Sequence, residues 1–305
     1  MIERGMGMES PITAIGFSEI DKKYTIEDIV GEILEKPTKQ QASRNKSKDV
    51  IAEYVKEFGK DTYVMVRIVV RPEEGKKDDQ EETMIEVEQC EPYLDTRYIL
   101  NVEELSVEEI DDEYNYYAIC EDKETGIQFI FWLQNVIEYT EAVAHKKSFN
   151  KVKIAALAME GTIVLPVEQD EEDATAQKEE KEKIKVMLQR AREGDEEARE
   201  QLEEEEREID DLLKERLFQE DFLTLMSGYF IPTTLIDATY AILGEIKDID
   251  TRKNSKTNEE MYLFTLDVND MPLEVMINKK QLVGYPTVGM RFMGTCWLQG
   301  TIVID

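Results

Sequence analysis

The sequence predicts an α+β chain with an N-terminal α+β domain, an acidic helical hairpin and a C-terminal five-stranded β-barrel of the oligonucleotide/oligosaccharide-binding (OB) or SH3-like kind. Three observations predict it. Segments with helical apolar spacing precede a series of β-branched runs. A strongly acidic stretch with helical spacing fills the middle. Five short strand-like runs, separated by turn signals, end the chain. The expected divisions are 1–168, 169–235 and 236–305, and 305 residues suffice for two cores of ordinary size.

In the first division, Thr25 is placed to cap a helix over Ile26 to Leu34, with Glu27 and Asp28 in its first turn and Pro37 beyond its end. Ile26, Ile29, Val30, Ile33 and Leu34 share one face. A second helix is expected over Lys48 to Phe58, with Val50, Ile51, Tyr54, Val55 and Phe58 inward and Gly59 as its stop. The period then changes. Thr62 to Val70 is a β-branched strand, and Arg71 to Glu82 a charged loop. A weaker strand follows near Met84 to Glu88. Tyr114 to Cys120 and Ile127 to Leu133 read as a hairpin about Gly126. Val152 to Leu157 and Thr162 to Val167 read as another, turning at Met159-Glu160-Gly161.

The stretch Glu168 to Asp221 carries 23 acidic and 10 basic residues, so the charge alone predicts a solvated surface. Its apolar residues keep helical spacing, with Gly194 and Asp195 suited to end one helix and cap the next. The resulting stripe of Ile184, Leu188, Leu202, Ile209 and Leu213 needs a surface to cover, on its own domains or on a partner.

The C-terminal runs are Tyr240 to Ile249, Met261 to Val268, Leu273 to Ile277, Arg291 to Leu298 and Thr301 to Ile304. Turns are expected at Asn254 to Asn258, Asn269-Asp270 and Gln299-Gly300, with a short helix or turn at Lys279 to Gly284. That order of strands matches a small barrel. Arg252, Lys253 and Lys256 gather in one loop near Tyr262, the place where such a barrel meets a ligand.

Several residue groups resemble those of a family of clostridial proteins of unknown function. They are Ala14-Ile15-Gly16-Phe17-Ser18, Phe131-Trp132-Leu133-Gln134-Asn135 with Tyr139, Gly161-Thr162-Ile163-Val164-Leu165-Pro166, and Tyr240 to Ile246. The similarity runs from about Ile12 to the C-terminus. It implies a cytoplasmic protein of an anaerobic Gram-positive bacterium, and it brings no activity, cofactor or catalytic residue.

Chemistry is sparse. The single histidine, His145, sits beside two lysines, a poor setting for a general base, and one histidine makes no His-rich metal site. Cys90, Cys120 and Cys296 are far apart and odd in number, as expected of reduced, packed thiols in a cytoplasmic protein. There is no phosphate-binding glycine loop and no nucleophile elbow. Asp248, Asp250 and Glu259 have the spacing of a calcium loop, but Lys253 stands where its glycine is required. No apolar run is long enough to span a membrane. A net charge of -31, with 10 acidic against 7 basic residues over 236–305, disfavours nucleic acid. The sequence therefore predicts a cytoplasmic, non-enzymatic protein-binding or scaffold protein without a cofactor, whose partner and oligomeric state it leaves open. Single-strand binding through the barrel and an enzyme of unrecognised type are the alternatives.

Overall fold

Thr25 opens the first helix as its sequence predicts. The computed structural model describes residues 10–20, 22–44, 49–71, 84–110, 115–166, 186, 190, 195, 228–234 and 238–304. The Asp28 amide donates to the Thr25 hydroxyl at 3.3 Å, and the Thr25 amide donates to the Asp28 carboxylate at 2.8 Å. This reciprocal box satisfies two amides at the start of α1 (Ile26–Glu35). Ile29 and Ile33 are fully buried, with Ile26, Val30 and Leu34 packed beside them. Thr25→Ala is expected to lower stability by about 1 kcal/mol. Urea unfolding should show this as a lower midpoint at unchanged slope.

Four strands follow: β1 (Lys39–Arg44), β2 (Val50–Gly59), β3 (Thr62–Arg71) and β4 (Met84–Leu94). They form an antiparallel sheet in chain order. The helix expected over Lys48 to Phe58 is thus a correction, because Val50 to Phe58 belong to β2. The sheet is covered on both faces, so apolar residues fall on both sides of β2 and imitate a helical period. Phe58 reaches the core through a register shift between Glu57 and Gly59. Val64, Val66, Ile68, Phe58 and Leu94 join Ile29, Ile33 and Phe17 in the main core. Ile51 and Val69 meet Ile137 on the opposite face.

The remaining strands are β5 (Leu100–Glu109), β6 (Tyr116–Asp122), β7 (Gln128–Leu133), β8 (Lys151–Val164), β9 (Tyr229–Pro232), β10 (Thr239–Lys253), β11 (Glu260–Val268), β12 (Met271–Asn278), β13 (Leu282–Val283) and β14 (Arg291–Ile302). Helix α2 (Val136–Ala144) lies between β7 and β8. The β6–β7 hairpin pairs as expected, Ile119 with Ile130, and Gly126 has φ 75°. Asn269 and Asp270 have φ 51° and 68°, the left-handed pair that a two-residue hairpin turn requires between β11 and β12.

The α+β class is overturned: the described residues are mostly β. The expected hairpin at Met159-Glu160-Gly161 is one unbroken strand, β8. Gly161 is there because the Phe292 ring occupies the place of a Cβ. Gln299-Gly300 is likewise no turn but the interior of β14. The independent five-stranded C-terminal barrel is overturned too. β10, β11 and β12 close a circuit only by including β8, through the pairings β12–β8, β8–β14, β14–β10 and β10–β11. β5, β6 and β7 close a second circuit through the same two strands, by β5–β8 and β7–β14. The acidic helical hairpin is no part of the described fold. Residues 168–221 lie outside the described set except Val186, Arg190 and Asp195.

The two circuits repeat one plan. A three-stranded meander is followed by a helical element and then a long strand, β8 after β5–β7 and β14 after β10–β12. Each meander's first strand runs antiparallel to its own long strand, and its third strand runs parallel to the other's. The halves are thus interlocked by exchange, and the antiparallel β8–β14 pair forms the seam.

Candidate functional site

The cationic loop expected to meet a ligand is engaged internally. Arg252 is buried, its guanidinium 3.5 Å from Asp61 and also bound to Asp250. Lys256 binds Glu32 of α1. Lys253 is exposed at the end of β10. Tyr262 stacks on Phe264 at 5.6 Å and carries the Lys279 ammonium 4.6 Å from its ring centroid. The structure brings these residues to one end of the β10–β11 hairpin, where Arg252 and Lys256 tie it to the first sheet and α1. The stripe Ile184, Leu188, Leu202, Ile209 and Leu213 lies outside the described residues.

Other candidates are structural. His145 ends α2, with its Nδ1 2.7 Å from the Glu141 carbonyl. Burial pushes the Cys90 and Cys120 thiols up to about 12, and it raises Cys296 as well, so all three are protonated packing residues at neutral pH. No group of three His, Cys, Asp or Glu side chains suited to a metal occurs among the described residues.

One polar row crosses the first sheet. Gln41, Glu53, Arg67 and Gln89 are direct partners on β1, β2, β3 and β4. Arg67 Nε and a terminal nitrogen donate to Glu53 Oε1 at 2.9 and 2.7 Å, and Gln41 donates to Glu53 Oε2 at 2.8 Å. Arg67 also donates to Gln89, which donates to Asn115 ahead of β6. Arg67 and Glu53 are 0% and 1% exposed, so these bonds replace water entirely. Burial raises the Glu53 carboxyl above the ordinary range, although Arg67 pulls it down.

Beside this row lies a pocket of ≈ 190 Å³, between the first sheet and the start of α2. Lys39, Glu53, Tyr63, Tyr93, Gln134 and Glu138 line it, and so does Asp95. Tyr63 and Tyr93 are cross-strand partners and stack at 5.6 Å, with the Lys39 ammonium 5.7 Å above the Tyr63 ring. Both phenols are held above their ordinary range, chiefly by burial and then by nearby carboxylates. Those carboxylates include Glu57, Asp61 and Asp95 for Tyr63, and Asp95 and Glu138 for Tyr93. Three carboxyl groups, those of Glu53, Asp95 and Glu138, and one ammonium, that of Lys39, are in its lining.

The chain positions this site through the polar end of β7. The Gln134 amide donates to the Gly300 carbonyl at 2.8 Å. Asn135 Nδ2 donates to the Ile302 carbonyl at 2.9 Å, while Asn135 Oδ1 accepts from the Ile302 amide at 3.0 Å. The Gln134 Nε2 donates to the Pro92 carbonyl at 3.2 Å, whereas its Oε1 is buried without a hydrogen-bond partner among the described residues. Gln134 is 4% exposed. A buried acceptor without a partner costs on the order of 1–3 kcal/mol. Sequence reasoning singled out Phe131 to Asn135 as a motif but missed the pocket. The available signal was a Gln-Asn pair ending an apolar strand. Nothing in the sequence brings Tyr63 and Tyr93 to it.

A family model described as "Domain of unknown function, E. rectale Gene description (DUF3881)" matches residues 12–300. No curated protein and no solved structure matches the chain.

Proposed function

We propose, for a chain that belongs to the DUF3881 family, that it is a non-enzymatic protein-binding protein of the cytoplasm and that the pocket between the first sheet and α2 is where it engages its partner. One observation carries this reading: a pocket lined by the stacked pair Tyr63 and Tyr93, the amide of Gln134 and the carboxyl groups of Glu53, Asp95 and Glu138. Such a set recognises a donor and gives it a defined orientation. The acidic surface favours a basic partner and steers it electrostatically. Three free cysteines, two buried and Cys90 half-buried, suit a reducing compartment. No described helix is long and apolar enough to cross a membrane.

The test is capture from a clostridial lysate by the tagged full-length protein and by Glu138→Lys, an exposed substitution on α2 at the pocket. A species retained by the wild type and reduced about tenfold or more by Glu138→Lys, with unfolding unchanged, is the expected result. Retention of nothing by the wild type would end the binding reading. Equal retention by both proteins would remove the pocket from it.

A further inference from the structure

We infer that the pocket takes an alkylammonium group, the side chain of a lysine on the partner protein. The inference rests on the binding reading above and names what enters. Three observations of different kinds converge on it.

The first is geometric. Tyr63 and Tyr93 present a stacked aromatic wall, which attracts a cation through the negative face of the ring. The chain's own Lys39 already holds an ammonium 5.7 Å from the Tyr63 centroid. That contact is an internal example of the interaction, made by an exposed side chain from edge strand β1 that an incoming group can displace.

The second is the acceptor set. Gln134, Glu138 and Asp95 all line the pocket, and the Gln134 Oε1 is buried without a partner among the described residues. Asp95 has Lys153 at 3.3 Å, and Glu53 is occupied by Arg67 and Gln41. Glu138 is thus the lining carboxylate for which no cation partner is described. These acceptors come from three places, just after β4, just after β7 and on α2, and they do not form one carboxylate fork. A compact ammonium with three separately directed donors suits them better than a planar guanidinium.

The third is electrostatic. The carboxyl groups of Glu53, Asp95 and Glu138 line the pocket against the one ammonium of Lys39, and Asp95 and Glu138 add to the burial that raises the Tyr93 phenol. A negative potential of that kind repels a carboxylate or phosphate guest and holds a cation.

The probe is n-butylammonium chloride, which carries the lysine side chain's stem and charge. It is titrated into full-length protein with ring-labelled tyrosine at about 0.15 M salt, where surface attraction is screened beyond about 8 Å. The expected result is saturable movement of the Tyr63 and Tyr93 ring signals, absent with n-butanol. Glu138→Lys should weaken binding about tenfold, and Lys39→Gln should strengthen it severalfold by freeing the ring and removing a like charge. A purely structural Lys39 would give no such gain. No saturable shift, equal response to n-butanol, tighter binding of n-butylguanidinium, or no gain from Lys39→Gln would each overturn the inference. The two proposals fail separately. Capture that depends on Glu138 without n-butylammonium binding leaves the binding reading and removes the lysine. n-Butylammonium binding without any captured protein removes the partner and with it the partner lysine.

Discussion

Arg67→Leu is expected to destabilise the protein by about 3–5 kcal/mol, because it leaves the Glu53 carboxylate buried with its ion-pair partner gone. The two residues are direct cross-strand partners at the centre of the first sheet, 0% and 1% exposed. Solvent cannot enter to replace the guanidinium, and Gln41 alone remains on the carboxylate. For a chain of this size the loss corresponds to a melting temperature lower by on the order of 10 °C. The deficit should depend on pH. Without Arg67 the folded-state pKa of Glu53, already raised, moves further up. A carboxyl whose folded pKa exceeds its unfolded value contributes stability that is present below the unfolded pKa and lost as pH rises through the folded one. The gap between Arg67→Leu and wild type should therefore be smaller near pH 4 than at pH 7. Glu53→Leu combined with Arg67→Leu should recover most of the loss, since an apolar pair removes both buried charges. Thermal and urea unfolding of the two single variants and the double variant decide it. A single variant within about 1 kcal/mol of wild type would mean that the pair does not act as a unit.

Gly300→Ala is expected to be nearly as damaging, at about 3 kcal/mol, for a steric reason. A Cβ at this position would stand inside van der Waals contact with the Lys153 carbonyl oxygen, and 3.1 Å from the Ile154 Cα. Both are backbone atoms of β8, so no rotamer change relieves the clash, and the two long strands must separate. Gly300 also faces Leu133 of β7 and accepts from the Gln134 amide. One methyl group therefore strains the seam, the second circuit and the base of the pocket together. Gly31→Ala is the control: nothing lies within 4 Å of its Cβ, and alanine favours the helix it sits in. Urea unfolding should separate the two substitutions by several kcal/mol in opposite directions. Equal midpoints would show that the β8–β14 spacing is not set by Gly300.

These glycines also show where the sequence was legible. Local chemistry could be read. The Thr25 box, the Asn269-Asp270 turn, the β6–β7 hairpin and the strand after Thr62 all depend on neighbours in the chain, and they stand where the residues put them. Gly161 and Gly300 read as turns because a glycine inside a β run signals either a turn or a close neighbour. The neighbours that decide, Phe292 and Lys153, lie more than a hundred residues away. β2 reads as a helix because a strand with apolar residues on both faces loses the alternation that would identify it. The family resemblance was legible because its motifs are short and consecutive, and the structure explains several of them. Gly16, at φ 89°, leaves room for Asn254, whose side chain donates to the Ile15 carbonyl at 2.9 Å. The pocket was illegible because it is assembled from β1, β3, β4 and the polar end of β7, whose meeting is a property of the fold.

The exchange between β8 and β14 has a consequence for how the protein is made. A ribosome releases the chain from its first residue onward, and both circuits need β14, which follows every other described strand. The first meander and β8 emerge early, yet β7 lacks its parallel neighbour until residues 291–302 appear. For most of its synthesis the nascent chain therefore carries open strand edges, the state in which β proteins pair with the wrong partner. The contacts that finally close it span long separations and form slowly. The interval between the exit of β8 and the arrival of β14 is thus the part of synthesis in which both circuits stand open.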